Sequence, residues 1–232
     1  MGDRHRMLSR ITKGILSGKA GERGPLFRKG EKKDLILEWE KIEKQRAAQQ
    51  SSLTEQFKKE CGLLSVKVHE ARTHDEAGQA LSSIIKATGA KQAIQWTSPL
   101  MDLLKVDGLL KAMGVQNLTG GGKDHLADLG LSGADYALAD TGTLVLTARP
   151  GQDRSSSLLP PAHVAFLNQE RILPGLDELM VRIRLDLEGG GRPHSCVTLI
   201  SGPSKTADIE MTLVHGIHGP KEVHVVVLKE EG

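Results

Sequence analysis

Two short polar segments break apolar surroundings sharply enough to suggest chemistry. The first is Asp140-Thr141-Gly142-Thr143, set between Tyr136-Ala137-Leu138-Ala139 and Leu144-Val145-Leu146. In two copies, an Asp-Thr-Gly triplet brings two carboxylates together to share a proton and activate water. This chain has one copy. Only a dimer would supply the pair, and the strand–helix rhythm described below argues against the all-β barrel such enzymes use. Two readings stay open. Asp140 and Thr141 close a turn by side-chain-to-backbone bonds while Gly142 takes a positive φ, or the turn faces a ligand at the end of a strand, where open α/β sheets commonly bind one. In the second reading Asp140 is the candidate base or nucleophile, and Thr141, Gly142 and Thr143 are ligand contacts.

The second segment is Ser201-Gly202-Pro203-Ser204-Lys205-Thr206, expected between a strand and a helix that carries Asp208 and Glu210. Unpaired N–H groups at a helix start, the hydroxyls of Ser201, Ser204 and Thr206, and the Lys205 ammonium suit a phosphate or a small carboxylate. An ordinary capped helix, with Pro203 near its first turn and Asp208 offsetting the dipole, explains the same residues. A nucleotide P-loop is rejected, because Ser204 stands at its second glycine and Leu199 at its first.

His215, His218 and His224 form a local group, but Gly216 and Gly219-Pro220 end any helix inside it. Turn and strand histidines therefore explain the group better than a shared metal, and no metal is expected. The segment from Arg149 to Pro161 holds Arg149, Arg154 and three consecutive serines, and reads either as a lid over an anion or as a solvent loop. Cys61 and Cys196 lie far apart with no CxxC spacing, which leaves no zinc, iron–sulfur or disulfide framework to draw. No cofactor is implied, and a reducing cytoplasm fits such cysteine usage.

The elements that must position these residues alternate. Residues 34–60 are charged and Gln-rich, with Leu35, Ile36, Trp39, Ile42 and Phe57 at roughly helical intervals. Residues 63–68 read as a first strand after Gly62. Residues 75–88 read as a helix with acids in its first turn and Gly89 at its end. A strand at 93–96 precedes a helix over about 99–113, opened by Ser98-Pro99. A short strand at 115–118 and a brief helix at 124–129 follow. Residues 136–139 and 143–148 form a hairpin that interrupts the rhythm, with strands at 164–167, 197–200 and 223–228 and helices at 176–180 and about 209–214. The run Val223 to Leu228 lacks polar alternation, as a strand buried on both faces should. The fold class is α/β: a largely parallel sheet with helices on both faces and an inserted β-hairpin.

With 232 residues the chain can bury a sizeable core, and no apolar run approaches a membrane span. Six aromatics, three Phe, two Trp and one Tyr, and a net charge of +2 argue against nucleic acid as a partner. The charge is uneven. Residues 1–33 carry ten Lys/Arg against three acids, a net +7, which leaves −5 for residues 34–232. The expected organisation is a basic arm over 1–33, a helical extension over 34–60 and an α/β domain over 61–232. The arm reads as a solvated tail, or as a dock for an acidic partner.

Three stretches, Gly133 to Leu146, Ser157-Leu158-Leu159-Pro160-Pro161-Ala162-His163 and Ser201 to Glu210, followed by Gly216-Ile217-His218-Gly219-Pro220, resemble the LUD-domain family in content and order. The resemblance spans about residues 60–230 and adds His218 to the ligand-binding candidates. It implies the NagB/RpiA/CoA-transferase-like fold. It also implies a component of a system that oxidises L-lactate to pyruvate with iron–sulfur partner proteins, a system in which this chain carries no electrons of its own. Two positions depart from the family habit: Asp140 stands where Glu is often found, and Lys205 where Arg is common, so a bidentate guanidinium is lost there. The alternative is a stand-alone enzyme or binding protein for a small carboxylate, acyl or phosphorylated metabolite, for which fold analogy is a weak warrant.

Overall fold

The computed structural model describes residues 32–188, 196–207, 213–215 and 219–229. The basic arm up to residue 31 lies outside them. Helices α1 (Lys32–Ala48) and α2 (Gln50–Leu63) come first, followed by strand β1 (Lys67–Ala71). The strand expected at 63–68 thus begins later. Leu53, Phe57 and Cys61 recur every fourth residue on the buried face of α2, and this packing carries the helix through Gly62, where glycine costs about 1 kcal/mol. Ser65, at φ 65°, ends it.

Helix α3 (His74–Thr88) matches its local signals: Thr73 accepts a bond from the Glu76 amide, and Gly89 closes the helix at φ 67°. Strand β2 (Gln92–Gln95) leads to α4 (Pro99–Leu103) and α5 (Val106–Ala112), expected as one helix. Lys105, at φ 51°, divides them, and the Ser98 side chain makes no cap bond. After β3 (Gln116–Asn117) there is only a 3₁₀ turn over Asp124–Leu126, and the chain enters β4 (Leu129–Gly133), a strand the sequence reading missed. Its glycine has a packing cause. A β-carbon on Gly130 would lie 1.7 Å from the Ser156 carbonyl oxygen, so glycine here marks the close approach of another backbone.

Strands β5 (Tyr136–Leu138) and β6 (Thr143–Thr147) form the expected hairpin. Next come α6 (Ser155–Leu158), β7 (Ala162–Asn168), a 3₁₀ turn (Gln169–Arg171), β8 (Ile172–Leu173) and α7 (Leu176–Glu188). Strand β9 (Val197–Ile200) precedes β10 (Lys205–Ala207), β11 (Leu213–His215) and β12 (Glu222–Leu228). The helix expected at about 209–214 is contradicted at its C-terminal end. β10 and β11 pair antiparallel, with Thr206 opposite Val214 in register.

The main sheet has the order β1-β12-β7-β4-β2-β3, with every pairing parallel. Helices flank it. β12 lies between β1 and β7, and Val223, Val225, Val226 and Val227 are at most 1% exposed. The hairpin does not join this sheet. It forms a second one, β8-β5-β6-β9, in which β9 runs antiparallel to β6. α1 packs on α7 against that second sheet, while α2 packs on β1 and β8 and so touches both.

Candidate functional site

The two polar segments, remote in sequence, meet at one edge of the second sheet. Thr143 Oγ1 lies 2.8 Å from Ser201 Oγ and donates to Thr141 Oγ1 at 2.8 Å, and Thr141 Oγ1 donates to Asp140 Oδ1 at 3.2 Å. Each hydroxyl has one proton, so the direction is set: Ser201 donates to Thr143, Thr143 to Thr141 and Thr141 to the carboxylate. Asp140 and Thr141 are exposed, as is Ser201, while Thr143 is buried. Two hydroxyls, those of Thr141 and Thr143, stand between Asp140 and Ser201, so the carboxylate touches the Thr141 hydroxyl and not Ser201.

The same turn is a docking seam. Gly142 has φ 62°, and a β-carbon there would lie 2.8 Å from the Cys61 amide nitrogen and 3.0 Å from the Glu60 carbonyl carbon. Cys61 Sγ donates to the Gly142 carbonyl at 3.7 Å. On the other side, a β-carbon on Gly175 would lie 2.7 Å from Asp140 Oδ2, and the Asp140 amide donates to the Pro174 carbonyl. Turn chemistry with a positive-φ glycine is therefore present, and the end of α2 seats on it.

The Ser201 segment departs from expectation. It leads into β10 rather than into a helix, so no row of unpaired helical N–H groups opens there. Gly202 (φ 99°) approaches the Leu64 carbonyl, and the Ser204 amide donates to the Pro220 carbonyl at 2.9 Å. Lys205 is exposed at the start of β10, paired with His215 in register, and Thr206 follows it in that strand. Asp208, Glu210 and His218 lie outside the described residues. The segment around Arg149 is not a free lid: Arg149 is bonded to Asp135 at 2.5 Å and to Gln152 at 3.1 Å, and the serines form α6, packed on β4 and β7.

His69, His163, His215 and His224 are strand residues. His224 Nδ1 lies 3.1 Å from His69 Nε2, with the rings stacked. His163 is fully buried and bonded to Ser132 Oγ at 2.8 Å. Burial, helped by the neighbouring His224 charge, pushes His163 down to about 4. Burial, then His69 and Lys67, pushes His224 down to about 4. Among the described residues no group of three or more His, Cys, Asp or Glu could hold a metal ion.

Sequence reasoning missed a cleft of about 420 Å³ at the carboxyl ends of β1, β12 and β7. Arg72, His74, Asn168 and Lys229 line it on the polar side, Leu100 and Leu103 on the apolar side. Open parallel sheets bind ligands at this end. Lys229 pairs with Glu70, which also takes Lys58; these bonds hold the Glu70 carboxyl below its ordinary range. The mix of cationic rim and leucine wall suits an organic anion. A signal was present in the sequence at one strand only: Lys229 stands directly after the apolar run that ends β12, whereas β1, Lys67-Val68-His69-Glu70-Ala71, is mostly polar, and the convergence of Arg72 and Lys229 requires the strand order.

No helix among the described residues is long and apolar enough to cross a membrane. The LUD domain model matches residues 54–228. Lactate utilization protein C of Halalkalibacterium halodurans is 33% identical, over 74% of this chain and 76% of its own length. The protein of the same name from Macrococcus caseolyticus is also 33% identical, over 77% and 79%. Among solved structures, a DUF162 family protein from Deinococcus radiodurans matches with a TM-score of 0.58 at 21% identity, over 77% of this chain and 98% of that one, which supports the fold. A domain match across most of the chain, in a parallel-sheet fold that such a structure shares, assigns this protein to the LUD-domain family.

Proposed function

We propose that this chain serves lactate utilisation, as the non-redox component of an L-lactate-oxidising assembly that works with iron–sulfur partner proteins in the cytoplasm. The observation that carries the reading is the 33% identity to lactate utilization protein C over about three-quarters of both chains. The cysteines support the division of labour. Clusters are generally held by four thiolates, and this chain has two cysteines. Cys61 is buried, which pushes its thiol up to about 12 and makes it a poor ligand or nucleophile. Electrons would then travel through the partners, and this chain would hold substrate or the assembly.

The test is deletion of the gene in its own host, with growth on L-lactate as sole carbon source compared with growth on glucose, and affinity purification under reducing conditions. Growth on L-lactate fails and growth on glucose persists, and iron–sulfur proteins co-purify. Unimpaired growth on L-lactate overturns the reading. A second reading, a stand-alone binding protein or enzyme for a small carboxylate, acyl or phosphorylated metabolite, is favoured by the cleft at the carboxyl ends of β1, β12 and β7. Normal growth on lactate with a loss of growth on another organic acid would select it.

A further inference from the structure

A second, smaller cavity lies where α1 crosses the carboxyl end of β7. It has a volume of about 250 Å³ and is lined by Glu43, Arg46, Tyr136, Asn168, Glu170 and Arg171. None of these was a candidate from sequence, and two of them belong to α1, ahead of residue 54, where the LUD domain match begins.

The donors in it are held ready. Arg46 is only 9% exposed. One of its terminal nitrogens donates to Gln50 Oε1 at 2.8 Å, and its Nε forms an ion pair with Glu43 at 3.7 Å but, at that distance, makes no hydrogen bond. A buried guanidinium with an unmet donor is costly and calls for an acceptor. Arg171 donates to the Tyr136 hydroxyl at 3.2 Å and lies over its ring, 5.5 Å from the centroid. Trp39 of α1 meets that ring edge-on at 6.4 Å. Because Tyr136 accepts from Arg171, its own proton is left for a ligand.

The acceptors narrow the ligand. Glu43 and Glu170 line the same cavity, so its formal charges cancel. A bare polyanion such as phosphate meets two carboxylates as well as two guanidinium groups. A carboxylate that carries a hydroxyl on the next carbon satisfies both sets: its oxygens accept from arginine and tyrosine, and its hydroxyl donates to a glutamate. We infer that this cavity binds a small 2-hydroxycarboxylate, its carboxylate held between Arg46 and Arg171 and its hydroxyl by Glu170. The small volume agrees with a metabolite of a few heavy atoms. The site and its carboxylate end stand on this geometry; the choice of a hydroxyl, and of L-lactate as probe, rests on the proposed function.

The experiment uses the full chain alone. L-lactate, acetate, L-alanine and inorganic phosphate are titrated by calorimetry, with the melting temperature followed in parallel. L-lactate binds more tightly than acetate or phosphate. Arg171→Gln, a change at an exposed position, weakens L-lactate by about tenfold or more. Glu170→Gln, which leaves both arginines in place, weakens L-lactate but not acetate, a change of ratio that damage to the fold would not produce. The inference is overturned by no binding of L-lactate at about 100 mM, far above ordinary metabolite affinities. It is also overturned by an unchanged lactate-to-acetate ratio in Glu170→Gln, or by L-alanine binding in preference to L-lactate. This readout needs no partner, so its failure leaves the lactate-system reading standing, and failure of the growth test leaves the cavity standing.

Discussion

His163 and His224 lie in adjacent strands of the main sheet and are both held neutral by burial, their pKa values pushed down to about 4 from an ordinary 6.5. Between those two values the unfolded chain binds protons that the folded one refuses, so stability rises with pH across this window. The contribution is therefore complete above about pH 6.5 and is lost as the pH falls towards 4. Each histidine accounts for about 3 kcal/mol at most over that range. Melting curves should be flat from pH 8 to 7 and fall steeply below 6.5. In His163→Gln, whose side-chain amide is able to keep a bond to Ser132, the baseline stability is lower and the acid slope is reduced, the remainder coming from His224 and from His69, which burial also holds below its ordinary range. An unchanged slope in that variant would show that His163 is not a source of the acid sensitivity.

The end of α2 meets the Asp140 turn through backbone, and this seam explains both the residue types and their limits. Gly142→Ala must accommodate a β-carbon at φ 62° against the Cys61 amide. A cost of about 3 kcal/mol is expected, read as a lowered urea midpoint, whereas Thr143→Val removes hydroxyl bonds worth about 1 kcal/mol each. If Gly142→Ala proves neutral, α2 is not seated on this turn in solution. The Asp-Thr-Gly segment was legible as a turn because its chemistry is local. Its partner was not, because Glu60 and Cys61 reach it only through the folded chain. The same division runs through the fold. Thr73 and Gly89 announce α3 on both sides, and the Val223–Leu228 run announces a two-faced strand. Strand β4 hides behind Gly130, whose purpose is the approach of Ser156, and β10 and β11 depend on a pairing that periodicity does not see. The cavity of Arg46 and Arg171 is the extreme case, since no spacing connects a helix on one side of the domain match to a turn deep within it.

The boundary of the folded body follows from where α1 makes its contacts. The domain match begins at residue 54, yet Leu35 is 2% exposed, Trp39 packs edge-on against Tyr136, and Arg182 of α7 stacks over the Trp39 ring at 5.5 Å. Trp39 and Tyr136 also cover the cluster of Leu138, Val145, Leu173 and Leu179 beneath the second sheet. We propose that α1 belongs to the body rather than to a detachable extension. Two truncations separate the possibilities. Removal of residues 1–30 takes away most of the net +7 of an arm whose composition reads as a solvated tail, so the cooperative melt should persist at nearly the same temperature. Removal of residues 1–48 takes away α1 and uncovers that cluster. At about 1.5–3 kcal/mol for each large apolar side chain returned to water, the loss approaches the whole stability of a typical domain. The longer truncation should melt many degrees lower, bind a hydrophobic dye and lose any L-lactate binding by the full chain. If it instead melts like the full chain, α1 is an appendage, and the cavity it roofs with Glu43 and Arg46 is not a built part of the molecule.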